Sequence, residues 1–248
     1  MIPVKDDGEL LRRCLEALKM QTRQPDEVIV VDNQSSDDSA EIARASGARV
    51  VECATPGIPA ASATGYDAAI GNCILRLDAD CIPGRQWVEV MAEAFEAQPD
   101  VAAFTGGARF IDGPRRLQRP LAAAYLGVYA IVTAPALGHA PLFGSNLGIR
   151  RSAWRAVRHR LHLAPNVHDD LDLAYHLGER HRIRVLANAE MGISMRPFFT
   201  ARGFARRTEW GARTVIRHWP QDFPTVRWLK LAMLRQRFGS PASSKRRP

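Results

Sequence analysis

Two carboxylates stand one residue apart at the end of a short apolar run. The run from Ile74 to Leu77 is typical of a strand buried in a sheet, and turn residues follow at Cys81 to Gly84. Asp78 and Asp80 are therefore predicted at the carboxyl end of a strand, where open α/β sheets bind ligands. At this spacing both carboxylates can face one hard divalent cation, which in turn can hold a diphosphate. An isolated Asp-X-Asp is more often a solvated turn, so its meaning depends on the other acidic sites.

A second carboxylate also follows a buried strand. The near-continuous apolar run Glu27 to Val31 is typical of a parallel strand covered on both faces, and it ends at Asp32. Helix capping accounts for the serines and acidic residues that follow, but it leaves Asp32 unexplained. Two roles for this side chain remain open: it caps the turn, or it accepts a hydrogen bond from the imide of a bound base.

A third acidic group lies far along the chain. Asp169, Asp170 and Asp172 fall within four residues, and acidic residues at a helix N-terminus are favoured by the helix dipole. That explanation does not require Asp169 and Asp170 to be adjacent. Their mutual repulsion would raise the pKa of one of them and suit it to proton abstraction.

The elements that position these groups alternate along the chain. Because strands alternate with helices through the first 77 residues, we expect an α/β fold with a mostly parallel sheet, right-handed crossovers and helices on both faces. Asp32 and the pair Asp78/Asp80 would then end neighbouring strands at one edge of the sheet. The predicted helices span residues 8–20, 39–46, 60–69, 86–97, 202–217 and 225–238, and the predicted strands span 2–4, 27–31, 48–52, 72–77, 101–110, 183–186 and 191–195.

Composition separates the chain into two parts. The net charge is +8, but Arg196 to Pro248 contains 13 Lys and Arg against 2 Asp and Glu, which gives +11 there and −3 for residues 1–195. We expect a basic helical extension over 196–239 and a disordered tail over 240–248. The extension could meet an anionic membrane surface, and nucleic acid ranks last among its partners. The four scattered cysteines and the absence of a signal peptide indicate reduced thiols in a cytoplasmic protein.

The stretch from Pro120 to Ile149 contains no charged residue except a titratable His139. Its length approaches that of a membrane span, but it is rich in Ala and Gly and is interrupted by Pro135 and Gly138. We expect a buried or interfacial helix here rather than a span.

Taken in order, the motifs resemble those of the family 2 glycosyltransferases of the GT-A fold, over roughly Met1 to Leu186. Each piece is common, but all five in this order are specific. The matching pieces are Ile2 to Asp6, Val30 to Asp37, Leu77 to Asp80, Gly144-Ser145-Asn146 with Arg150-Arg151, and Asp169 to Leu173.

The resemblance implies transfer of a sugar, usually with inversion, from a nucleotide diphosphate sugar to an acceptor hydroxyl. It implies that Asp32 binds the base, that Asp78 reaches the ribose or a metal ion, and that Asp80 ligates Mn²⁺ or Mg²⁺. It also implies that Asp170 is the catalytic base with Asp169 as its acidic neighbour. Pro3, Val4 and Asp6 would line the nucleotide pocket. The chemistry agrees, because a divalent ion offsets charge on the leaving diphosphate and inversion needs a base on the opposite face of the sugar.

The chain departs from the family pattern at several places. The first strand is short, which suggests that the native chain begins upstream of Met1. The segment Ala61 to Gly65 lacks the arginine that the family often carries there, so Arg109, Arg150 or an arginine of the extension would have to supply positive charge near the phosphates. His218 could complete the metal shell, but histidines that pack within a protein or lie on its surface are several times more common than metal ligands.

Two other functions compete with this interpretation. A nucleotidyltransferase would need a Gly-rich, Arg-containing loop after the first strand, and residues 5–13 contain three acidic residues and a single glycine. A catalytically silent membrane-associated binding protein would use the basic extension and the uncharged stretch. We predict a GT-A domain over 1–195, a nucleotide sugar as donor and a hydroxyl acceptor. The uncharged stretch is explained equally well by a lipid-linked or hydrophobic acceptor and by packing within the protein.

Overall fold

The computed structural model describes residues 1–196 and 200–238, and of residues 201, 202 and 235–238 it describes the backbone only. The strands are β1 (Ile2–Val4), β2 (Ile29–Asp32), β3 (Arg49–Glu52), β4 (Cys73–Arg76), β5 (Ile82–Pro83), β6 (Val101–Phe110), β7 (Leu147–Arg150) and β8 (Arg182–Ile193). The helices are α1 (Gly8–Lys19), α2 (Ser39–Ala45), α3 (Ile58–Ala68), α4 (Trp87–Ala97), α5 (Arg115–Leu137), α6 (Arg151–Val157), α7 (Asp169–Leu177), α8 (Ala201–Arg217) and α9 (Pro224–Phe238).

The strands form two hydrogen-bonded groups, β1-β2-β3 and β4-β7-β6-β8-β5. They meet at Met1, whose amino group donates to the Leu75 carbonyl at 2.6 Å and whose carbonyl accepts from the Leu77 N–H at 3.4 Å. This is the bonding pattern of parallel neighbours, so β1 lies beside β4. Strands β7 and β5 run antiparallel to their partners, whereas the other pairs are parallel. The predicted α/β fold with a mostly parallel sheet is confirmed.

Helices cover both faces of the sheet, as its alternating side chains require. Ile29 and Val31 of β2 pack in one core with α3, α6 and α7, whereas Val30 of the same strand packs in the other core with α1, α2 and α4. Two short predicted strands at the end of the domain are a single strand, β8. Its register to β6 shifts between Leu186 and Glu190, so the intervening residues form a bulge and not a break.

Helix α5 begins before the uncharged stretch, at Arg115, and is mostly not buried. By length and composition it is the one helix of the described residues that could cross a membrane, and 22% of its most apolar 18-residue window is buried. The expectation of a buried helix is therefore wrong. The alternative, an interfacial helix, agrees with the exposure of the apolar side chains of α5.

A buried arginine helps to attach the basic extension to the domain. Arg227 of α9 donates from Nε to the Leu137 carbonyl at 2.5 Å and from Nη2 to the Tyr175 carbonyl at 2.8 Å. These bonds satisfy the carbonyl at the end of α5 and one within α7, so α9 closes over both helices. The predicted disordered tail, 240–248, lies outside the described residues.

Candidate active site

The predicted acidic sites lie at one edge of the sheet, but the strands that carry them are not neighbours. Asp32 ends β2 and Asp78 follows β4, and β1 lies between these two strands. The sequence expectation of adjacent strands is wrong, because chain order does not reveal that β1 inserts at the centre. The consequence is a wider cleft, with the loop after β1 between the two carboxylates.

The loops after β1 and β2 are joined through Asp6. Its Oδ1 accepts from the Ser36 N–H at 2.6 Å and the Ser36 hydroxyl at 2.9 Å, and these bonds lower the pKa of the Asp6 carboxyl. Asp32 Oδ1 accepts from the Ser35 N–H at 3.1 Å, so this side chain does cap its turn while staying partly exposed. Pro3 is half-buried, whereas the Val4 side chain lies in the core and its carbonyl accepts from the Asn33 N–H.

A turn before β7 lies beside Asp78 because β4 pairs antiparallel with β7. Within this turn, the Ser145 hydroxyl donates to Asp78 Oδ2 at 2.6 Å, and the Gly144 N–H donates to Asp170 Oδ2 at 2.8 Å. Two consecutive residues thus contact two of the acidic motifs. The convergence of these motifs, which are up to 92 residues apart in the chain, is a property of the fold.

Arg76 makes a second connection between the acidic motifs. Its buried guanidinium donates to Asp169 Oδ2 at 2.5 Å and to Asp78 Oδ1 at 3.3 Å. Asp169 also accepts from the Ser62 hydroxyl at 3.0 Å. Burial raises the pKa of Asp169, against the opposing charge of Arg76.

Asp170 is the carboxylate of the pair whose pKa is lowered. It accepts from His168 Nδ1 at 2.5 Å and lies 3.4 Å from the Tyr129 hydroxyl. Burial alone would raise its pKa, but the neighbouring His168, the charge of Arg76 and the Gly144 N–H lower the pKa of Asp170 to about 2. The two pKa values therefore differ: the raised one belongs to Asp169, chiefly through burial and less through repulsion by Asp170, and the lowered one to Asp170 beside His168.

Asp80 lies on the other side of Asp78 and is paired with the extension. Arg196 donates to Asp80 Oδ2 at 3.0 Å and forms a bidentate pair with Asp7 at 2.7 and 3.0 Å. Burial, followed by the charge of Asp78, raises the pKa of Asp80, although Arg196 opposes this. The neighbouring charge of Asp78 and the pairing with Arg196 are both consistent with a position that favours a cation.

The donor set at this place fits a hard divalent ion. Asp78, Asp80 and Cys81 each offer an atom within 4.8 Å of the others, and two of these atoms are carboxylate oxygens, the ligands that Mn²⁺ and Mg²⁺ prefer. A cation bound here would replace Arg196 on Asp80. The residues present therefore fit the ion that the family resemblance implies.

Sequence reasoning missed Arg76 and identified the wrong domain arginines. Arg150 donates to the carbonyls of Val101, Phe95 and Gln98, and Arg109 lies 3.7 Å from Glu190. Positive charge comes instead from Arg76 and from Arg196, an arginine of the extension as one alternative had it. The one available signal for Arg76 was a charged residue within an apolar strand, two positions before Asp78.

His218 does not join Asp78 and Asp80. It packs with His176 and Asp172, so it belongs to a separate cluster. A cavity of about 410 Å³ lies at the opposite ends of β1, β2 and β4, beside Met1, Glu27 and Asn72. It is thus remote from the converging carboxylates.

Two curated proteins are similar to part of this chain. Glycosyltransferase AglE of Haloferax volcanii is 37% identical over 97 residues, which is 36% of this chain and 32% of that protein. A TPR repeat-containing protein of Synechococcus elongatus is 38% identical over 104 residues, or 41% of this chain and 25% of that one. The matched segments thus span a third or less of these relatives.

Solved structures with the same fold include glucosyl-3-phosphoglycerate synthase of Mycobacterium tuberculosis. Its complex with uridine diphosphate aligns with a TM-score of 0.61 at 20% identity, covering 87% of this chain and 77% of that one. Its complex with Mn²⁺, UDP-glucose and phosphoglyceric acid aligns with a TM-score of 0.60 at 22% identity, covering 98% and 79%. At this identity the likeness establishes the GT-A fold alone.

The sequence profile described as Glycosyl transferase family 2 matches residues 1–157, which include β1 to α6 and the motifs around Asp32, Asp78 and Gly144. The match covers more than half of the chain and agrees with the order of motifs and with the fold. The chain belongs to glycosyl transferase family 2.

Proposed function

We propose that this protein transfers a sugar, with inversion and with the help of a divalent metal ion, from a nucleotide diphosphate sugar to an acceptor hydroxyl. The observation that carries the proposal is the convergence of Asp78, Asp169 and Asp170 around Arg76 and the Gly144–Ser145 turn. Since the chain belongs to a glycosyltransferase family, the nucleotidyltransferase alternative is set aside.

The donor would occupy the cleft between the ends of β2 and β4. Asp32 would contact the base, the loop containing Pro3, Val4 and Asp6 would form the wall of this pocket, and Asp78 would reach the ribose or the metal. Asp80, with Asp78, would hold Mn²⁺ or Mg²⁺, which when bound offsets negative charge on the leaving diphosphate. The binding of uridine diphosphate by the M. tuberculosis enzyme makes uracil the first base to test.

The acceptor would approach Asp170. His168 and the Gly144 N–H keep this carboxylate ionised, so at neutral pH it is in the form that accepts a proton from a hydroxyl. Asp169 is committed to Arg76 and Ser62, which favours a positioning role for it. We assign Asp170 as the base and Asp169 as its acidic neighbour.

The first experiment is calorimetric titration of the protein with UDP, GDP and dTDP, each with Mn²⁺ and with EDTA. We expect metal-dependent binding of one nucleotide, lost in Asp80→Asn and retained in Asp26→Asn, a matched change at an exposed carboxylate away from the cleft. Equal binding by wild type and Asp80→Asn would contradict the metal role and favour the silent binding protein.

Asp170→Asn separates chemistry from binding. Because loss of a general base lowers turnover by about 10² to 10⁴-fold, we expect sugar transfer to fall by that factor with nucleotide binding unchanged. NMR of the product anomer would test inversion. Undiminished transfer by Asp170→Asn, or a retained anomeric configuration, would overturn the assignment of Asp170.

We also infer that the protein acts in the cytoplasm at the inner face of a membrane, with a hydrophobic or lipid-linked acceptor. The support is an exposed apolar stripe on α5, comprising Leu117, Leu121, Val128, Ile131 and Val132. These positions recur with helical spacing and therefore share one side of the helix. Helix α9 presents Val226, Leu229 and Met233 in the same manner, among basic residues.

A further inference from the structure

A second cluster of potential metal ligands lies apart from Asp78 and Asp80. Asp172 and His176 are four residues apart on α7, His162 precedes that helix, and His218 follows the last residue of α8. One ligand atom from each of these four side chains lies within 4.8 Å of the others. Three chain segments therefore meet at this cluster, and one of them belongs to the basic extension.

The distances are close to those of a tetrahedral centre. Asp172 Oδ1 lies 2.7 Å from His162 Nδ1, 3.4 Å from His218 Nε2 and 3.8 Å from His176 Nε2, and the last two nitrogens are 3.4 Å apart. Ligands about 2.0 to 2.1 Å from a tetrahedral Zn²⁺ are roughly 3.3 Å from one another. Of these four distances, the one between His162 and Asp172 is the shortest and would have to open by about half an ångström on that geometry.

The outer contacts orient the ligands toward a common centre. His218 Nδ1 lies 2.8 Å from the Thr214 carbonyl, so it carries the proton and leaves the lone pair of Nε2 facing the cluster. The backbone N–H of His162 donates to Asp172 Oδ2 at 2.9 Å, which leaves Oδ1 facing the three imidazoles. This arrangement of carbonyl, imidazole and carboxylate is typical of a metal site with an ordered outer shell.

The electrostatics also favour a cation. Asp172 is fully buried, and among the side chains that the structure describes no Lys or Arg forms an ion pair with it. A buried carboxylate without such a partner lacks the positive charge that normally compensates it.

We propose that His162, Asp172, His176 and His218 form a structural zinc site. Three imidazole nitrogens and one carboxylate oxygen suit Zn²⁺ better than Mn²⁺ or Mg²⁺, which prefer oxygen ligands. With four protein ligands the site is closed, as in structural zinc centres. The ion would fasten the end of α8 to α7, two residues from Asp170, and so hold the extension against the catalytic helix.

The test uses the full chain purified without an affinity tag and freed of metal with a chelator. We expect it to bind one equivalent of Zn²⁺ by inductively coupled plasma mass spectrometry, and Co²⁺ to give the intense visible absorption of a tetrahedral centre. His162→Ala removes a half-exposed ligand from a loop, so it should fold and yet bind zinc at least about tenfold more weakly. His218→Ala should show the same loss.

Two matched variants make the result specific. His159→Ala removes an exposed histidine three residues from His162, and Asp80→Asn removes the proposed catalytic metal ligand, so both should retain the zinc equivalent. Equal zinc stoichiometry and affinity in His162→Ala, His218→Ala and His159→Ala would overturn the proposal. So would a metal-free wild type that takes up no zinc and whose Tm does not rise when zinc is added, since the cluster would then be a hydrogen-bond network only.

Discussion

At the scale of single residues, the pair of His168 and Asp170 determines the protonation state at the centre of the site. Burial lowers the pKa of His168, but the adjacent Asp170 outweighs it and the net shift is upward. The pKa of Asp170 moves to about 2. Each group therefore stabilises the charged form of the other, in a place where an isolated charge would be costly.

The pH dependence of folding follows from these two directions. The contribution of His168 is fully present below its unfolded pKa, about 6.5, and is lost as the pH rises through its higher folded pKa. The contribution of Asp170 is present above its unfolded pKa, about 3.9, and is lost as the pH falls toward 2. The pair therefore stabilises the fold most between about pH 4 and 6.5.

The variant His168→Asn tests this pH range. We expect a loss of about 2 kcal/mol in the free energy of unfolding near pH 6, because a hydrogen bond to a charged group is removed. The corresponding fall in Tm is about 4 to 8 °C, shrinking at alkaline pH where the wild-type imidazole has lost its proton. Thermal unfolding of wild type and variant across pH measures this. The exposed His159→Asn should track wild type, and a pH-independent difference for His168→Asn would contradict the charged pair.

At the scale of elements, the turn before β7 is fixed by buried hydrogen bonds. Asn146 donates to the carbonyls of Gly107 at 2.8 Å and Ala189 at 2.7 Å and accepts from the Trp87 indole at 2.8 Å. These bonds attach the turn to β6, β8 and the start of α4. Gly144 is thereby held against Arg76 with no space for a side chain.

Gly144→Ala should damage the site by moving Arg76. An added Cβ would lie 2.8 Å from Arg76 Nη1 and 2.9 Å from Cζ, so the guanidinium would have to leave Asp78 and Asp169. We expect at least a tenfold lower kcat/KM and a loss of about 1 to 3 kcal/mol in stability from overpacking. Gly127→Ala, on α5 with nothing within 4 Å of its Cβ, should be neutral or up to about 1 kcal/mol more stable. Unchanged kinetics for Gly144→Ala would show that the position of Arg76 does not matter.

The sequence predicts the helices and strands better than it predicts the contacts between them. Apolar periodicity predicted most helices and strands, and the acidic residues were correctly placed after β2 and β4, because burial and termination are local signals. The central position of β1 and the pairing of β4 with β7 depend on contacts between distant segments. Arg76 could not be assigned for the same reason, since its buried charge is explained by Asp169, 93 residues away. The cluster around Asp172 likewise needs three separate segments.

At the scale of the whole molecule, the exposed surface shows an asymmetry that the catalytic site does not explain. Ile131 is 75% exposed, Val132 69% and Val128 61%, all on α5. Helix α9 lies against the end of this helix, where the Trp228 indole donates to the Pro135 carbonyl at 2.7 Å. The basic extension therefore lies beside an apolar surface, a combination that favours an anionic bilayer.

A double change, Ile131→Glu with Val132→Glu, tests this surface. Each apolar side chain contributes free energy when it enters the membrane interface, and each glutamate adds repulsion from anionic lipid, so we expect binding to phosphatidylglycerol vesicles to weaken at least tenfold in sedimentation assays. Wild-type binding should also weaken at high salt, because the basic extension contributes through screened charges.

Ile70→Glu is the control: Ile70 is 70% exposed but lies beside Glu27, away from α5. If both variants bind vesicles as the wild type does, or if the wild type binds none, the stripe on α5 does not face a membrane. Retained nucleotide binding by the double variant would show that the effect is confined to this surface.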